Sequence, residues 1–285
     1  MTAKQIEPGT FMSNIHPTAI VGEAADIHPS AHIGPFCIVE DGAVIGPDCV
    51  LDSQVRIGPT VRLGHGNRAC HGAVLGAEPQ DLGFSPDKAR PLVIGDHNHF
   101  KEHVVISCGV KDERGTRIGN HNYFMNGTHV GHDCLVGNHN ILAPNTTLAG
   151  HVTLHDRCFL SGLVAVHQFC RIGNLVMIGG VSGVRQDIPP FSMANGQYAR
   201  YVGLNRVGLC RNSFDAAQRS TIKRVHRLLF HPGLSLKSAI EALRELAGES
   251  SEAAEILRFV EGSERGLIGT RERTSKVQFP PSPCL

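Results

Sequence analysis

Ile27-His28-Pro29-Ser30-Ala31-His32, Ile33-Gly34-Pro35-Phe36-Cys37-Ile38 and Val39-Glu40-Asp41-Gly42-Ala43-Val44 are three consecutive hexads, each opening on an aliphatic residue and carrying a small one four places on. Outward from them the period holds unbroken from Ile15 to Leu75. It resumes at Ile94 and runs in step to Val184, with only Asp112 out of character. A helix face repeats about every 3.6 residues and an alternating strand about every 2, so neither explains a period of six. A repeat of this length is the signature of a parallel β-helix, in which each rung is too small to bury its own apolar face and stacking buries it.

If three hexads make one triangular coil, like falls on like about every 18 residues. The aliphatic column then fills the interior, each member contributing roughly 1.5 to 3 kcal/mol of transfer free energy. The small column, which includes Cys37, Cys49, Cys134, Cys158 and Cys170, fits near the corners, with the thiols acting as small core fillers. Glycines in second place, such as Gly34, Gly46 and Gly119, and asparagines such as Asn120 and Asn138, suit corners where the backbone takes positive φ.

Two interruptions stand out. The segment 77–91 carries Pro79, Pro86 and Pro91 among polar residues and reads as an ordered loop leaving the coil, and 111–117 reads as a shorter bulge around Asp112. Loops held by a rigid scaffold are where function concentrates. Pro189-Pro190 close the periodic part, giving a β-helix over 15–190 after an extension over 1–14. A small helical part follows over 191–268, with helices from Ser213 to the His231-Pro232-Gly233 stop, from Ser235 to Ala247 and from Ser251 to Glu261; a polar, proline-bearing tail covers 269–285.

The 285 residues carry a net charge of +1, 5% aromatics and no Trp, which argues against a nucleic-acid reader built on basic grooves and stacking platforms. No run is apolar enough for a membrane span, and the start lacks a secretory pattern. Nine cysteines without a CxxC pair fit a reducing compartment, so the cytoplasm is expected.

Seventeen histidines are many, and the 18-residue ruler gathers His129, His132, His151 and His167 on one strip of adjacent coils. Three readings fit the strip: a polar outer face, a zinc site fed from neighbouring coils, or a histidine general base with Asp133 beside it to fix the tautomer.

The strings Asn126-Gly127-Thr128-His129-Val130-Gly131-His132-Asp133-Cys134, Leu148-Ala149-Gly150-His151-Val152 and Ala165-Val166-His167-Gln168-Phe169-Cys170 resemble the UDP-N-acetylglucosamine O-acyltransferases of lipid A biosynthesis. So do Glu78-Pro79-Gln80-Asp81-Leu82, Gln186-Asp187-Ile188-Pro189-Pro190 and Ser263-Glu264-Arg265-Gly266-Leu267-Ile268. The resemblance covers roughly 15–268. It implies a left-handed β-helix, a homotrimer with active sites between subunits, and transfer of a 3-hydroxyacyl group from acyl carrier protein to the glucosamine 3-hydroxyl, with no cofactor or metal.

Carried over residue by residue, the resemblance implies His132 as general base, Asp133 as its orienting partner, and the Gly150 N–H as oxyanion donor, a role worth roughly 3 kcal/mol. It implies substrate contacts for His129, His151, His167, Gln80, Asp81, Asn205 and Arg211, and acyl-length control at Gly180 and Tyr198. The chain departs from the family pattern at Gly83, where Lys is frequent, although Lys88 lies in the same loop. It departs again at Ser107-Cys108-Gly109-Val110, at Val207 and Asn212 where a carboxylate and an Arg are usual, and at Tyr198 in place of His. The alternatives are an N-acyltransferase for a 3-amino sugar nucleotide and a non-catalytic trimeric scaffold.

Overall fold

The computed structural model describes residues 14–270; all of the extension but Asn14, and the tail from 271 on, lie outside the described residues. Two-residue strands recur at each hexad start, and every third strand joins the same sheet. Among the described residues they form three parallel sheets of nine, eight and ten strands, the last including one antiparallel pairing at its end. The register is the 18-residue ruler itself: Ile20 pairs with Ile38, His129 with Thr147, and Thr147 with Ala165. Inside run the aliphatic columns, with Phe100 and Phe124 stacked at 5.0 Å on adjacent coils.

The interruptions are insertions into this register. Val74 pairs with Val105, thirty-one residues on, so the first loop adds thirteen. Val105 pairs with His129, twenty-four on, so the second adds six, one hexad, which is why the phase survives it.

The expected reason for the corner glycines is corrected. Positive φ falls on other residues, among them His97, His121, His139, Asp133 and His151, while Gly34, Gly46 and Gly119 do not adopt it. Those glycines exist for clearance between coils: a Cβ on Gly34 would lie 2.2 Å from the Asp52 carbonyl oxygen, and one on Gly119 2.6 Å from that of Gly137. Asn120 and Asn138 likewise serve the stacking, because Asn120 Oδ1 accepts from the Asp96 N–H at 2.7 Å and Asn138 Oδ1 from the Asn120 N–H at 2.8 Å. A second, buried ladder runs through Asn67, Asn98, Asn122 and Asn140, each side chain receiving a backbone N–H from the next coil.

The column cysteines are buried. The thiols of Cys37, Cys49, Cys134 and Cys158 point at carbonyl oxygens of the neighbouring coil, 2.8 to 3.1 Å away. Burial pushes the Cys134 and Cys158 thiols up to about 12, so they do not supply thiolate.

Past Pro189-Pro190 the coil adds one more rung, Ser192–Asn195, parallel to Met177–Ile178, and Arg200–Leu204 folds back antiparallel on it. Among the described residues four helices follow: α1 (Arg206–Arg211), α2 (Ala216–Leu229), α3 (Leu236–Ala247) and α4 (Ser251–Glu261). The short α1 and the hairpin before it give no periodic signal in the sequence. Asp215 and Gln218 form a capping box on α2, and Ser235 and Ser250 cap α3 and α4. The helices are fixed to the coil by Asp187, which accepts from Arg171 N–H and from Ser263 Oγ, both at 2.8 Å, and by Arg171, whose guanidinium lies 4.4 Å over the Phe259 ring.

Candidate functional site

Strand His129–Val130 ends at Gly131, and the chain turns the corner at Asp133 with φ 57°. This turn places His132 and Asp133 side by side: His132 Nδ1 lies 2.8 Å from Asp133 Oδ2, with both side chains buried. A carboxylate at Nδ1 fixes the tautomer with the proton there, leaving the Nε2 lone pair free. That nitrogen faces Gly150, where a Cβ would lie 2.6 Å from it. Gly150 N–H itself donates no hydrogen bond among the described residues.

Asp133 is held tightly. Its carboxylate accepts backbone N–H bonds from Val110 (3.0 Å), Lys111 (3.2 Å) and Asp112 (3.1 Å), and its own N–H donates to Thr116 Oγ1 at 2.9 Å. Burial alone would raise its pKa, but the bond from His132 and those three N–H groups outweigh burial and hold it below the usual carboxylate range. The six-residue insertion thus wraps the carboxylate that orients the imidazole.

One coil on, His151 occupies the same corner as Asp133, with its ring 5.1 Å from that of His132 in an edge-to-face arrangement. His151 Nε2 is 3.6 Å from Asp133 Oδ2, too long for a hydrogen bond, so this buried nitrogen is electrostatically close yet unsatisfied. Burial lowers the pKa of His151, with the Asp133 charge opposing; burial also lowers that of His129, with the charge of His132 adding to it.

His132, Asp133 and His151 bring one donor atom each within 4.8 Å of one another, a spacing a cation could bridge. The Asp133 carboxylate already has partners on both oxygens, three backbone N–H groups and His132 Nδ1.

The ruler is corrected at two places. The residue in register with His132 is Gly150, and the ring stacked on His151 at 4.8 Å is Phe169. His167 precedes that corner, is exposed, and turns its Nδ1 to the Gln168 carbonyl oxygen at 3.0 Å.

Gln80 and Asp81 lie in the first excursion. Gln80 is exposed, whereas Asp81 Oδ1 accepts from the Gly83 N–H at 2.7 Å and Oδ2 pairs with Lys111 Nζ at 2.8 Å. The Lys111 ammonium, followed by that N–H, lowers the Asp81 pKa. Sequence reasoning passed over Lys111 and Phe169. The break at Asp112 marked the loop, but only the register of two excursions brings Lys111 to Asp81.

Asn205 and Arg211 lie elsewhere, around a cavity of about 630 Å³ on the third sheet walled by Ile141, Phe159 and Met177. The Asn205 side chain is already used: Oδ1 caps α1 through Gly208 N–H at 2.9 Å and Nδ2 donates to the Leu175 carbonyl oxygen at 2.8 Å. Arg211 is exposed at the rim, and Asn212 is tied to Arg157 at 2.5 Å. At Gly180 an added Cβ would stand in ordinary contact, 3.4 Å from the Gly162 carbonyl oxygen, and Tyr198 is exposed under the Arg185 guanidinium at 4.3 Å. Within one chain, therefore, the His132 strip and the Asn205–Arg211 cavity are separate. A further cavity of about 730 Å³ between Tyr201, α1 and α2 is lined by none of these residues.

Residues 187–268 match a family model described as UDP N-acetylglucosamine O-acyltransferase, domain 2, and residues 115–150 match six bacterial transferase hexapeptide repeats. An acyl-[acyl-carrier-protein]--UDP-N-acetylglucosamine O-acyltransferase of Burkholderia lata is 45% identical over 90% of this chain and its own full length, and that of Verminephrobacter eiseniae is 42% identical with the same coverage. Among solved structures, the UDP-N-acetylglucosamine acyltransferase of Francisella novicida superposes with a TM-score of 0.88 at 34% identity, covering 93% of this chain and all of the other. That of Moraxella catarrhalis gives 0.87 at 37%, covering 90% and 99%.

Proposed function

The chain belongs to the UDP-N-acetylglucosamine O-acyltransferase family, and on that premise we propose that its His132–Asp133 pair drives the first step of lipid A biosynthesis. The reaction moves a 3-hydroxyacyl chain from acyl carrier protein to the glucosamine 3-hydroxyl of UDP-N-acetylglucosamine. His132 Nε2 takes the hydroxyl proton as the sugar oxygen attacks the thioester carbonyl carbon. The carbonyl oxygen becomes an oxyanion that the free N–H of Gly150 receives. Collapse expels the carrier's thiolate, which takes the proton from the imidazolium, so proton and electron pair balance without a cofactor.

The observation that carries this reading is the 2.8 Å bond from His132 Nδ1 to Asp133, with Nε2 left free beside Gly150. Asp133 stabilises the imidazolium that forms, and its three backbone donors keep it ionised. His129, His151 and His167 border the acceptor, with Gln80 and Asp81 on the sugar nucleotide from the excursion.

The chain acts as a homotrimer. Asn205 and Arg211, at the two ends of α1, face the ten-stranded sheet, whereas His132 follows a strand of the nine-stranded one, so a site containing all three is completed by a neighbouring copy. Gly180 leaves room for the acyl chain, and Tyr198 borders it. No described helix is long and apolar enough to cross a membrane, and the buried free thiols suit the cytoplasm.

Purified protein supplied with 3-hydroxyacyl carrier protein and UDP-N-acetylglucosamine should form the 3-O-acyl product, and His132→Ala should lose nearly all turnover. Full activity in that variant would remove His132 as the base. The 3-amino sugar nucleotide, run alongside, distinguishes amide from ester formation.

A further inference from the structure

We propose that Lys111 is the positioning residue for the acceptor, tying Asp81 of the excursion to the carboxylate that orients the general base. This rests on the acyltransfer reading above. One residue grips both partners: its backbone N–H lies 3.2 Å from Asp133 Oδ2 and 3.3 Å from Oδ1, while its ammonium lies 2.8 Å from Asp81 Oδ2. The two carboxylates belong to segments more than fifty positions apart in sequence, and Lys111 spans them with its backbone N–H on one and its side chain on the other.

The excursion needs such a tether. Apart from a single turn at Pro86–Lys88 it has no regular structure between Val74–Ala77 and Leu92–Ile94, and its base is bridged to the same loop by Arg90 and Gly109, whose N–H groups each donate to the other's carbonyl oxygen at 2.8 and 3.2 Å. Lys88, the lysine within the excursion, donates to the Gly83 carbonyl oxygen at 3.0 Å and so braces the loop's own backbone. The cation on Asp81 comes from outside, from the insertion that wraps Asp133. With the Lys111 side chain 61% exposed and that of Asp81 15%, the pair is too open to matter much for folding. Its consequence is geometric: it sets where an Asp81 oxygen stands relative to His132.

A residue acting this way affects acceptor binding and leaves the chemical step largely intact, because the backbone N–H to Asp133 survives any side-chain change. Steady-state kinetics with the acceptor varied, paired with equilibrium titration of UDP-N-acetylglucosamine, would read both quantities in wild type, Lys111→Met, Lys111→Arg, Asp81→Asn and the Lys111→Met/Asp81→Asn double variant. Lys111→Met should weaken acceptor KM and Kd by about tenfold, the scale of a displaced positioning group, with donor KM unchanged and kcat changed less than about threefold. Lys111→Arg should recover most of the loss. In the Asp81→Asn background the Lys111 change should add less than about twofold, since the two act as one unit.

Wild-type acceptor affinity in Lys111→Met, or effects that multiply in the double variant, would overturn the proposal. A fall in kcat with unchanged acceptor affinity would overturn it as well, by placing the effect on the base. Wild-type turnover in the same assay tests the acyltransfer reading separately, and the titration reads Lys111 whatever that result.

Discussion

Gly150 gives up its side-chain space to His132: a Cβ at position 150 would lie 2.6 Å from Nε2 and 2.7 Å from Cε1 of the imidazole. The contact is with the ring that must present its lone pair to substrate, and Asp133 pins the ring's other end. Gly150→Ala should therefore rotate or displace the imidazole while leaving the surrounding coils folded. We expect kcat to fall about a hundredfold or more, as for a misplaced reacting group, with the far-ultraviolet dichroism and thermal midpoint near wild type. Near-wild-type turnover would show that the ring has slack that the structure does not suggest.

Asp133→Asn separates two roles of one side chain. The amide keeps one acceptor oxygen but turns an NH₂ group toward backbone donors, and it removes the charge that supports the imidazolium. Activity should drop by about 10² or more. Stability should also fall by about 1 to 3 kcal/mol, because N–H groups of Val110, Lys111 and Asp112 lose an acceptor. His132→Ala, which strands no backbone donor, should lose activity with a smaller shift in the thermal midpoint. Equal destabilisation by both variants would count against the wrapping of the loop around Asp133.

Period-six spacing made the coils and their register legible, down to which loops were insertions, because one column of interior residues repeats in every coil. What it could not show was why the other positions hold the residues they do. Gly34 and Gly119 looked like turn residues, yet they answer to a carbonyl oxygen on the next coil, a contact without any local pattern. The site was legible in the same partial way. His132, Asp133 and His151 follow from the 18-residue ruler, whereas Lys111 depends on where two insertions of different length end up, and Phe169 replaced His167 because it lies eighteen residues after His151 and His167 only sixteen. Arg211 was singled out by resemblance, but the helix that carries it, Arg206–Arg211, escaped notice because six residues are too few to display a period.

The buried asparagine ladder should be a point of weakness out of proportion to its size. Asn122 Oδ1 accepts from the Asn140 N–H at 2.9 Å, and Asn122 Nδ2 donates to Asn98 Oδ1 at 2.9 Å and the Gly137 carbonyl oxygen at 2.8 Å. Asn122→Ala leaves these groups in a dry interior and should cost about 2 to 4 kcal/mol. Asn120→Ala, in the partly exposed ladder at the same corner, should cost visibly less. Thermal melts of both at one fixed protein concentration would check the order; a reversed order would mean that water enters the coil.

His226 sets the expected acid limit of the helical part. Its ring is buried against Tyr201 and Phe230, Nε2–H donates to the Pro190 carbonyl oxygen at 3.0 Å, and Nδ1 has no partner among the described residues. Burial pushes its pKa from 6.5 down to about 4, with the bond to Pro190 opposing. The folded state thus holds the neutral ring while the unfolded chain takes up a proton near pH 6.5. The stabilisation is fully present above that pH and is lost as the pH falls toward 4, by about 3 kcal/mol in all. His226→Gln can still donate to Pro190 but cannot titrate. Between pH 7 and 4.5 its stability should decline less steeply than that of the wild type, and since His129, His151 and His155 titrate in both proteins, their contributions cancel in the difference. Parallel decline of the two melting curves across that range would show that His226 is not the buried neutral group its surroundings require.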